Sequence, residues 1–372
     1  MASPQIETYR QLTSHRLEEL YRSLREHVRI GVVYSGNPDD PRIVANRSWN
    51  LRGWESDERV AREIAQVLTA EGLRFVALVA DGKPLLNSAT GGEFDLYWLV
   101  TTGTQGHAST CHSSSLLECL GVPYLGQAPM VSALLDDRVI FRTWLRGRGF
   151  PTPHFIVRGA ETSLEVRESD VDFLRELRQH SGPFILRPRN GASEVHVLDS
   201  LAEINRLVPE MAERTMNDVV IEGWLEGPTY RISVAPPVFS RGEDLSIAGA
   251  PVVFAPLCTS GVPSSEHHHR MISLGTEIFS AAGASNALSL DLRFTEKSEP
   301  AIIEAESRPR AGSIDEMARS ARASGFTHRD LVVSLFAGNL YSFLRARPYF
   351  LETLQRGRRA DREHIETISA VG

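Results

Sequence analysis

Apolar and polar positions along the chain recur in two periods, one helical and one extended. Leu17, Leu20, Tyr21, Leu24 and Val28 return at helical spacing with charges between them, which predicts an amphipathic helix within residues 5–28, packed on the first lobe. The run RIGVVY at 29–34 predicts a buried strand entering a turn at 35–38. Val60, Ile64, Val67 and Leu68 share one face of a helix over 57–70, with Gly72 as its stop. Further strands are predicted at 75–79 and 96–100. Strand–helix–strand alternation at this spacing implies a parallel, doubly wound α/β lobe. A Gly-rich turn at 102–107 follows a strand directly. In an open α/β sheet that is where ligands sit, although an ordinary βα loop reads the same way.

Beyond helices at 113–120 and 131–148, the sequence Phe150-Pro151-Thr152-Pro153 marks a lobe boundary. The second lobe alternates strands at 155–157, 183–188, 195–198 and 219–225 with helices at 170–180 and 201–214. The 183–188 strand ends in Arg187 and runs into the Gly/Ser loop 190–193. Such a hairpin offers backbone N–H groups and the Ser193 hydroxyl to a phosphate, though most turns of this kind bind nothing. Strands at 230–234 and 250–254 open a third lobe. His267, His268 and His269 are consecutive, so their imidazoles do not face one way, and a solvated loop is expected there instead of a metal site. Thr327 to Asp330 has the form of a capping box opening a helix over 331–344, and the Arg- and Glu-rich stretch 356–366 predicts a peripheral helix.

The densest chemistry lies at 291–312, in two short strands (288–292 and 301–304) joined by a polar turn. Asp291, Glu304 and Glu306 converge if these strands form a hairpin. Three close carboxylates repel one another unless a cation sits between them, and all-oxygen ligands suit Mg²⁺ or Mn²⁺. Arg308 and Arg310 follow at once, as an anion beside the metal would require. The alternative is a solvated acidic hairpin.

Composition narrows the class of protein. The chain has 372 residues, 42% hydrophobic and 23% charged, which suits a globular protein of two or three lobes. A net charge of −7 without basic runs argues against a nucleic-acid surface. Lys83 and Lys297 are the only lysines among 40 basic residues, so arginine must do whatever lysine does elsewhere. Cys111, Cys119 and Cys258 have neither metal nor disulfide spacing. With no signal peptide or 18-residue apolar span, a cytoplasmic enzyme without a membrane partner is expected.

The order of these pieces resembles the D-alanine–D-alanine ligase branch of the ATP-grasp superfamily over residues 29–320. Residues 116–126 (LLECLGVPYLG) are similar to that branch's LExLGIPYxG, 133–138 (ALLDDR) to its helix start ending Asp-Lys, and 150–153 (FPTP) follow as they do there. Asp291 and Glu304 stand thirteen residues apart, as the branch's first two magnesium ligands do. The resemblance implies a three-lobed ATP-grasp fold of mixed α/β and α+β lobes with a parallel-sheet N-terminal domain. Its expected divisions are 1–28 (helical extension), 29–135 (N-terminal domain), 136–228 (central lobe), 229–325 (C-terminal lobe with the metal) and 326–372 (helical segment). It also implies ATP as cofactor, with Arg138 and Arg187 in place of two nucleotide-binding lysines and Ser193 in the phosphate-covering loop. Glu222, Gly223, Trp224 and Leu225 match the hinge that reads adenine, with Glu226 beside the ribose, and Asp291, Glu304 and Glu306 match the metal ligands.

Several positions depart from the branch. Glu306 replaces the usual Asn, Thr229 the ribose-binding acid, Ser289 an anion-binding Arg and Asp315 a substrate-binding Ser. The loop at 256–270 also lacks the Tyr and Lys that close over D-alanine. Glu304-x-Glu306-x-Arg308 is instead similar to the ExNxR of L-amino-acid-ligase-type and biotin-carboxylase-type members, where the Arg faces the reacting centre. Arg308, Arg310 and Ser289 are therefore the expected residues at the chemistry. The implied reaction joins small amino-acid-like carboxylates and amines through an acyl phosphate, in specialised metabolism such as antibiotic biosynthesis and not in D-alanyl-D-alanine synthesis. A single-substrate cyclase or kinase and a non-catalytic nucleotide-binding protein are the alternatives. A homodimer through the first lobe would be usual for such a protein.

Overall fold

A computed structural model of the protein describes residues 13–37, 39–43, 57–106, 108–159, 163–176, 183–190, 194–259, 265–295 and 299–346. The loop 191–193 with Ser193, and the stretch 356–366, lie outside the described residues.

Four strands, β1 (Arg29–Tyr34), β2 (Phe75–Ala80), β3 (Leu96–Leu99) and β4 (Tyr124–Leu125), form a parallel sheet in the order β2-β1-β3-β4. The helices Glu58–Ala70, Lys83–Thr90 and His112–Cys119 connect them. Only the middle helix was not predicted: it is short, and among its apolar residues only Leu85 and Ala89 are buried, which leaves no readable period. Polar side chains tie the carboxyl ends of the strands together. Asp81 Oδ2 accepts from the hydroxyls of Thr101 (2.8 Å) and Ser113 (2.7 Å), and Asp57 Oδ2 from Ser35 (2.7 Å).

A second, antiparallel sheet contains β5 (Phe155–Arg158), β6 (Phe184–Pro188), β7 (His196–Leu198) and β8 (Val219–Gly223), ordered β5-β8-β6-β7. Phe184, Leu186 and Ile221 on its inner face pack against Ile204 and Val208 of helix Leu201–Thr215, whose start is fixed by a capping box between Ser200 and Glu203.

The remaining strands are β9 (Tyr230–Ala235), β10 (Val238–Arg241), β11 (Asp244–Ile247), β12 (Val252–Val253), β13 (Leu257–Cys258), β14 (Leu288–Phe294) and β15 (Pro300–Glu306). They form an antiparallel sheet ordered β12-β9-β14-β15, with β13 also on β9, and a separate β10–β11 hairpin. Ile232, Leu288, Leu290 and Ile302 cover one face with Met271, Leu274 and Ile278 of helix Ser265–Ala281.

Three expectations need correction. The helix expected over 131–148 is two, Pro129–Asp136 and Arg138–Gly147. Asp137 is extended between them (φ −91°, ψ 110°), and its carboxylate accepts the N–H groups of Val139 and Ile140 at 3.0 and 2.9 Å. This new N-cap restarts the helix one residue before Arg138. The histidine run lies on helix Ser265–Ala281 and not in a loop, because the Met271, Leu274, Ile278 stripe extends back through it, and His267 stacks on Phe294 at 3.7 Å. The N-terminal helix Ser14–His27 packs on more than the first sheet. The N–H groups of Leu245 and Ile247 on β11 donate to its Glu18 and Ser14, and Tyr21 meets Phe336 of the buried helix His328–Ala346 edge-on at 5.8 Å. One core thus joins the N-terminal helix, the first sheet and the C-terminal helix.

Candidate active site

Register places the acidic residues. Arg231 on β9 stands opposite Asp291 on β14, and Asp291 stands opposite Glu304 on β15. Two residues along, Ser233 faces Ser289, and Ser289 faces Glu306. Side chains at i and i+2 of a strand share a face, so these six form one polar grid across three strands, opposite the apolar face that meets helix Ser265–Ala281. A bulge after Asp291 skips Ile303, whose carbonyl accepts from Arg142 Nε (3.1 Å) and Nη2 (2.6 Å).

Arginines converge on the acids from the other elements. Arg138, at the start of its helix, donates to Glu304 Oε1 at 2.6 Å and to the Pro188 carbonyl at 2.8 Å. Arg187 at the end of β6 reaches Glu304 Oε2 (3.3 Å) and Glu222 Oε1 on β8 (2.8 Å). Arg142, wholly buried, donates to the other oxygen of Glu222. Burial alone would raise the pKa of Glu222, but Arg142 and Arg187 outweigh it and the net shift is downward. Glu304 behaves alike, with burial opposed by Arg138 and Arg187. Glu306 goes the other way: burial pushes its pKa up to about 7, and Asp291, Asp136 and Glu304 add to this against Arg231.

Between the two antiparallel sheets lies a cavity of about 210 Å³, lined among others by Arg187, Glu222, Trp224, Leu225, Arg293 and Glu304. Trp224 follows β8, where its N–H is held by the Pro183 carbonyl at 2.9 Å. The Arg293 guanidinium lies 4.0 Å from the Trp224 ring centroid and donates to Thr229 Oγ1 at 3.0 Å and to the Leu225 carbonyl. Gly223 is buried beside Glu222, and Glu226 is exposed beyond the cavity wall. Glu222 was expected to meet an adenine amino group. Both its oxygens face arginines instead, Arg142 and Arg187, while the residue itself lines the cavity.

The residues expected at the chemistry are dispersed. Ser289 is buried and lies 2.9 Å from the Ser233 hydroxyl. Arg308 is buried too, and its Nη1 donates to the Thr101 carbonyl at 2.7 Å at the end of the first sheet, neither reaching into the acidic grid nor pairing with Asp315 or Glu316. The cause lies one residue earlier, where Ser307 hydrogen-bonds the Asp136 carboxylate (2.8 Å) and turns the chain toward the first lobe. Arg310 comes within 3.9 Å of Asp57 and Asp315. Arg59 Nη2 donates to both oxygens of Asp315 at 2.9 and 3.0 Å. Asp315, which stands in the place of a substrate-binding Ser, is therefore ion-paired with Arg59.

The acidic trio does not fit the all-oxygen metal centre expected of it. Among the described residues, no group of three or more His, Cys, Asp or Glu side chains is placed to hold a metal ion. Asp291 is bound by Arg231 through Nε (2.7 Å) and Nη2 (2.8 Å), Glu306 by the same guanidinium at 3.2 Å, and Glu304 by Arg138 and Arg187.

Arg142 and Arg231 escaped sequence reasoning. Arg142 interrupts the apolar stripe of Phe141 and Leu145, and Arg231 shares the polar face of β9 with Ser233, which are the only local signals either one gives.

Comparisons with known proteins agree with this architecture. No family model matches the chain. It is 24% identical over 327 residues to the D-alanine–D-alanine ligase of Pseudomonas putida (strain GB-1), covering 83% of this chain and 92% of that one. Identity to the corresponding ligase of Nitrosococcus oceani is 24% over 291 residues, 74% of this chain and 87% of the relative. Among solved structures, the Bacillus anthracis D-alanine–D-alanine ligase complexed with ATP superposes with a TM-score of 0.64 at 18% identity, over 85% of this chain and 98% of that one. The Coxiella burnetii ligase gives 0.64 at 15% identity, over 92% and 99%. The fold is that of the ATP-grasp ligases. The relatives it matches in sequence and in fold are D-alanine–D-alanine ligases, ATP-grasp enzymes forming C–N bonds, and they support a likeness to that branch. None of its described helices is long and apolar enough to cross a membrane.

Proposed function

We propose that the protein is an ATP-dependent carboxylate–amine ligase that joins small amino-acid-like substrates through an acyl phosphate. The observation that carries this reading is the meeting of Arg138, Arg187 and Glu304 at one end of a cavity whose other wall is Trp224, Leu225 and Arg293. A purine fits against the aromatic wall, and the arginines at the opposite end suit a polyphosphate. Guanidinium groups hold phosphate oxygens at two points, where lysine offers one point charge.

In the reaction a substrate carboxylate oxygen attacks the γ-phosphorus, the bond to the β-phosphate oxygen breaks and ADP leaves. An amine then attacks the acyl carbon, phosphate departs with the C–O bond, and the nitrogen loses a proton. Carboxylates are poor acceptors for amines at neutral pH, so activation has to come first. Arg138 and Arg187 would hold the transferring group in line, while Arg142 fixes Glu222 and thereby the Arg187 side chain.

The substrates of the relatives do not transfer directly. Ser289, bonded to Ser233, stands in the place of the branch's anion-binding Arg, which supports a product other than D-alanyl-D-alanine in specialised biosynthesis. The nucleotide-site roles of Arg138, Arg187, Trp224 and Leu225, the lobe boundaries, dimerisation and cytoplasmic location expected from sequence belong to this same reading. Screening the 20 common amino acids, singly and in pairs, for ADP release tests it. Release that depends on a particular pair supports a ligase, dependence on a single compound points to a cyclase or kinase, and ATP binding without release points to a non-catalytic protein.

A further inference from the structure

The guanidinium of Arg231 is the centre of the acidic grid. It donates to both oxygens of Asp291 at 2.7 and 2.8 Å, lies 3.2 Å from Glu306 and reaches Glu316 of the following helix at 2.6 Å. Three carboxylates from β14, β15 and helix Glu316–Ala323 therefore share one positive group, and they hold its proton more firmly than a free arginine's despite burial. Strand register enforces the arrangement: Arg231 is the direct partner of Asp291, so the side chain has no neighbouring position from which to avoid the acids.

We propose that Arg231 is a built-in cation, occupying the place between Asp291 and Glu306 that a divalent ion would otherwise take. The carboxylates that would ligate such an ion already accept from a fixed fork of donors, and a second, doubly charged cation beside the guanidinium would meet direct repulsion. The acidic edge of the site is then held together without free metal, and any divalent ion needed for turnover enters with the nucleotide. That last consequence rests on the ligase reading, whereas the occupancy of the grid does not.

The test uses the full chain, stripped with chelator and free of nucleotide, titrated with Mn²⁺ alone while free Mn²⁺ is followed by electron paramagnetic resonance. Removing the guanidinium in Arg231→Thr leaves three acids around one point, and Mn²⁺ is expected to bind at least about tenfold more tightly than to the wild type, with a rise in Tm on Mn²⁺ addition that the wild type lacks. Arg231→Gln, which keeps a donor for Asp291, should show the same gain, so the result does not hang on one variant folding. Adding Asp291→Asn to either variant should abolish the gain. Wild type binding Mn²⁺ as tightly as both variants, or with a dissociation constant near or below about 10 μM, would overturn the proposal. ATP turnover, measured separately, reports on the ligase reading and leaves this outcome untouched.

Discussion

Arg231 and Asp291 face each other across β9 and β14, joined by hydrogen bonds of 2.7 and 2.8 Å. Their pairing shows how this cleft differs from a simple acidic hairpin: each carboxylate that could have been bare is matched by an arginine from another element.

Arg142 is the clearest case of a buried match. Glu222, its partner, is equally buried, so removing the cation leaves that interior carboxylate with Arg187 alone against it. Arg142→Ala should lose about 3–5 kcal/mol of stability, read as a lower urea midpoint at unchanged slope. Arg142→Ala combined with Glu222→Gln should recover part of that loss, because the half-compensated charge is gone. Equal destabilisation in single and double variants would show that packing, not the ion pair, is what Arg142 supplies.

Glu222 also fixes the direction of an acid effect. Burial raises its pKa, the arginines lower it further, and the folded value ends below that of the unfolded chain. Its contribution is fully present above the unfolded pKa and is lost as pH falls through the folded one. In Glu222→Gln, stability should fall less steeply between about pH 5 and 3 than in the wild type. An acid limb of unchanged steepness would contradict this.

Arg187 touches both Glu304 and Glu222 and lines the cavity, so its predicted loss is functional. Arg187→Ala should lower kcat/KM for ATP by about 10²–10³-fold. ATP quenching of Trp224 fluorescence, the direct check on binding, should need a correspondingly higher concentration. Unchanged quenching and turnover would remove Arg187 from the nucleotide site.

Arg308 is predicted to be an anchor. Its guanidinium closes the gap between the loop after β15 and the Thr101 carbonyl, so Arg308→Ala should cost about 1–3 kcal/mol in urea unfolding. Arg308→Lys, which retains a donor, should recover part of it. A variant that keeps full stability while kcat collapses would return Arg308 to the reacting centre.

Much of this protein was legible in its sequence. The apolar runs gave the strands of the first sheet and of the carboxylate hairpin, and Arg138, Arg187, Trp224 and Glu304 do line or adjoin one cavity. What was hidden depended on partners distant in sequence. Arg142 and Arg231 look like ordinary surface cations until Glu222 and Asp291 are brought against them, 80 and 60 residues away. Arg308 was expected among the acids because it is near them in sequence, yet Ser307 bonding to Asp136 turns the chain aside. The break at Asp137 was masked by continuous apolar periodicity, which carries no mark of a capping carboxylate inside it.

The proposed ligase reaction requires this cleft to make an acyl phosphate from ATP and an amino-acid-like carboxylate. Hydroxylamine intercepts such an intermediate as a hydroxamate, which gives a colour with ferric ion. With the wild-type protein, ATP and a divalent salt, at least one carboxylate of the screened set should yield hydroxamate and ADP in equal amounts, and Arg187→Ala should yield about 10²-fold less. ADP released without hydroxamate from any carboxylate, or equal yields from both proteins, would contradict the account.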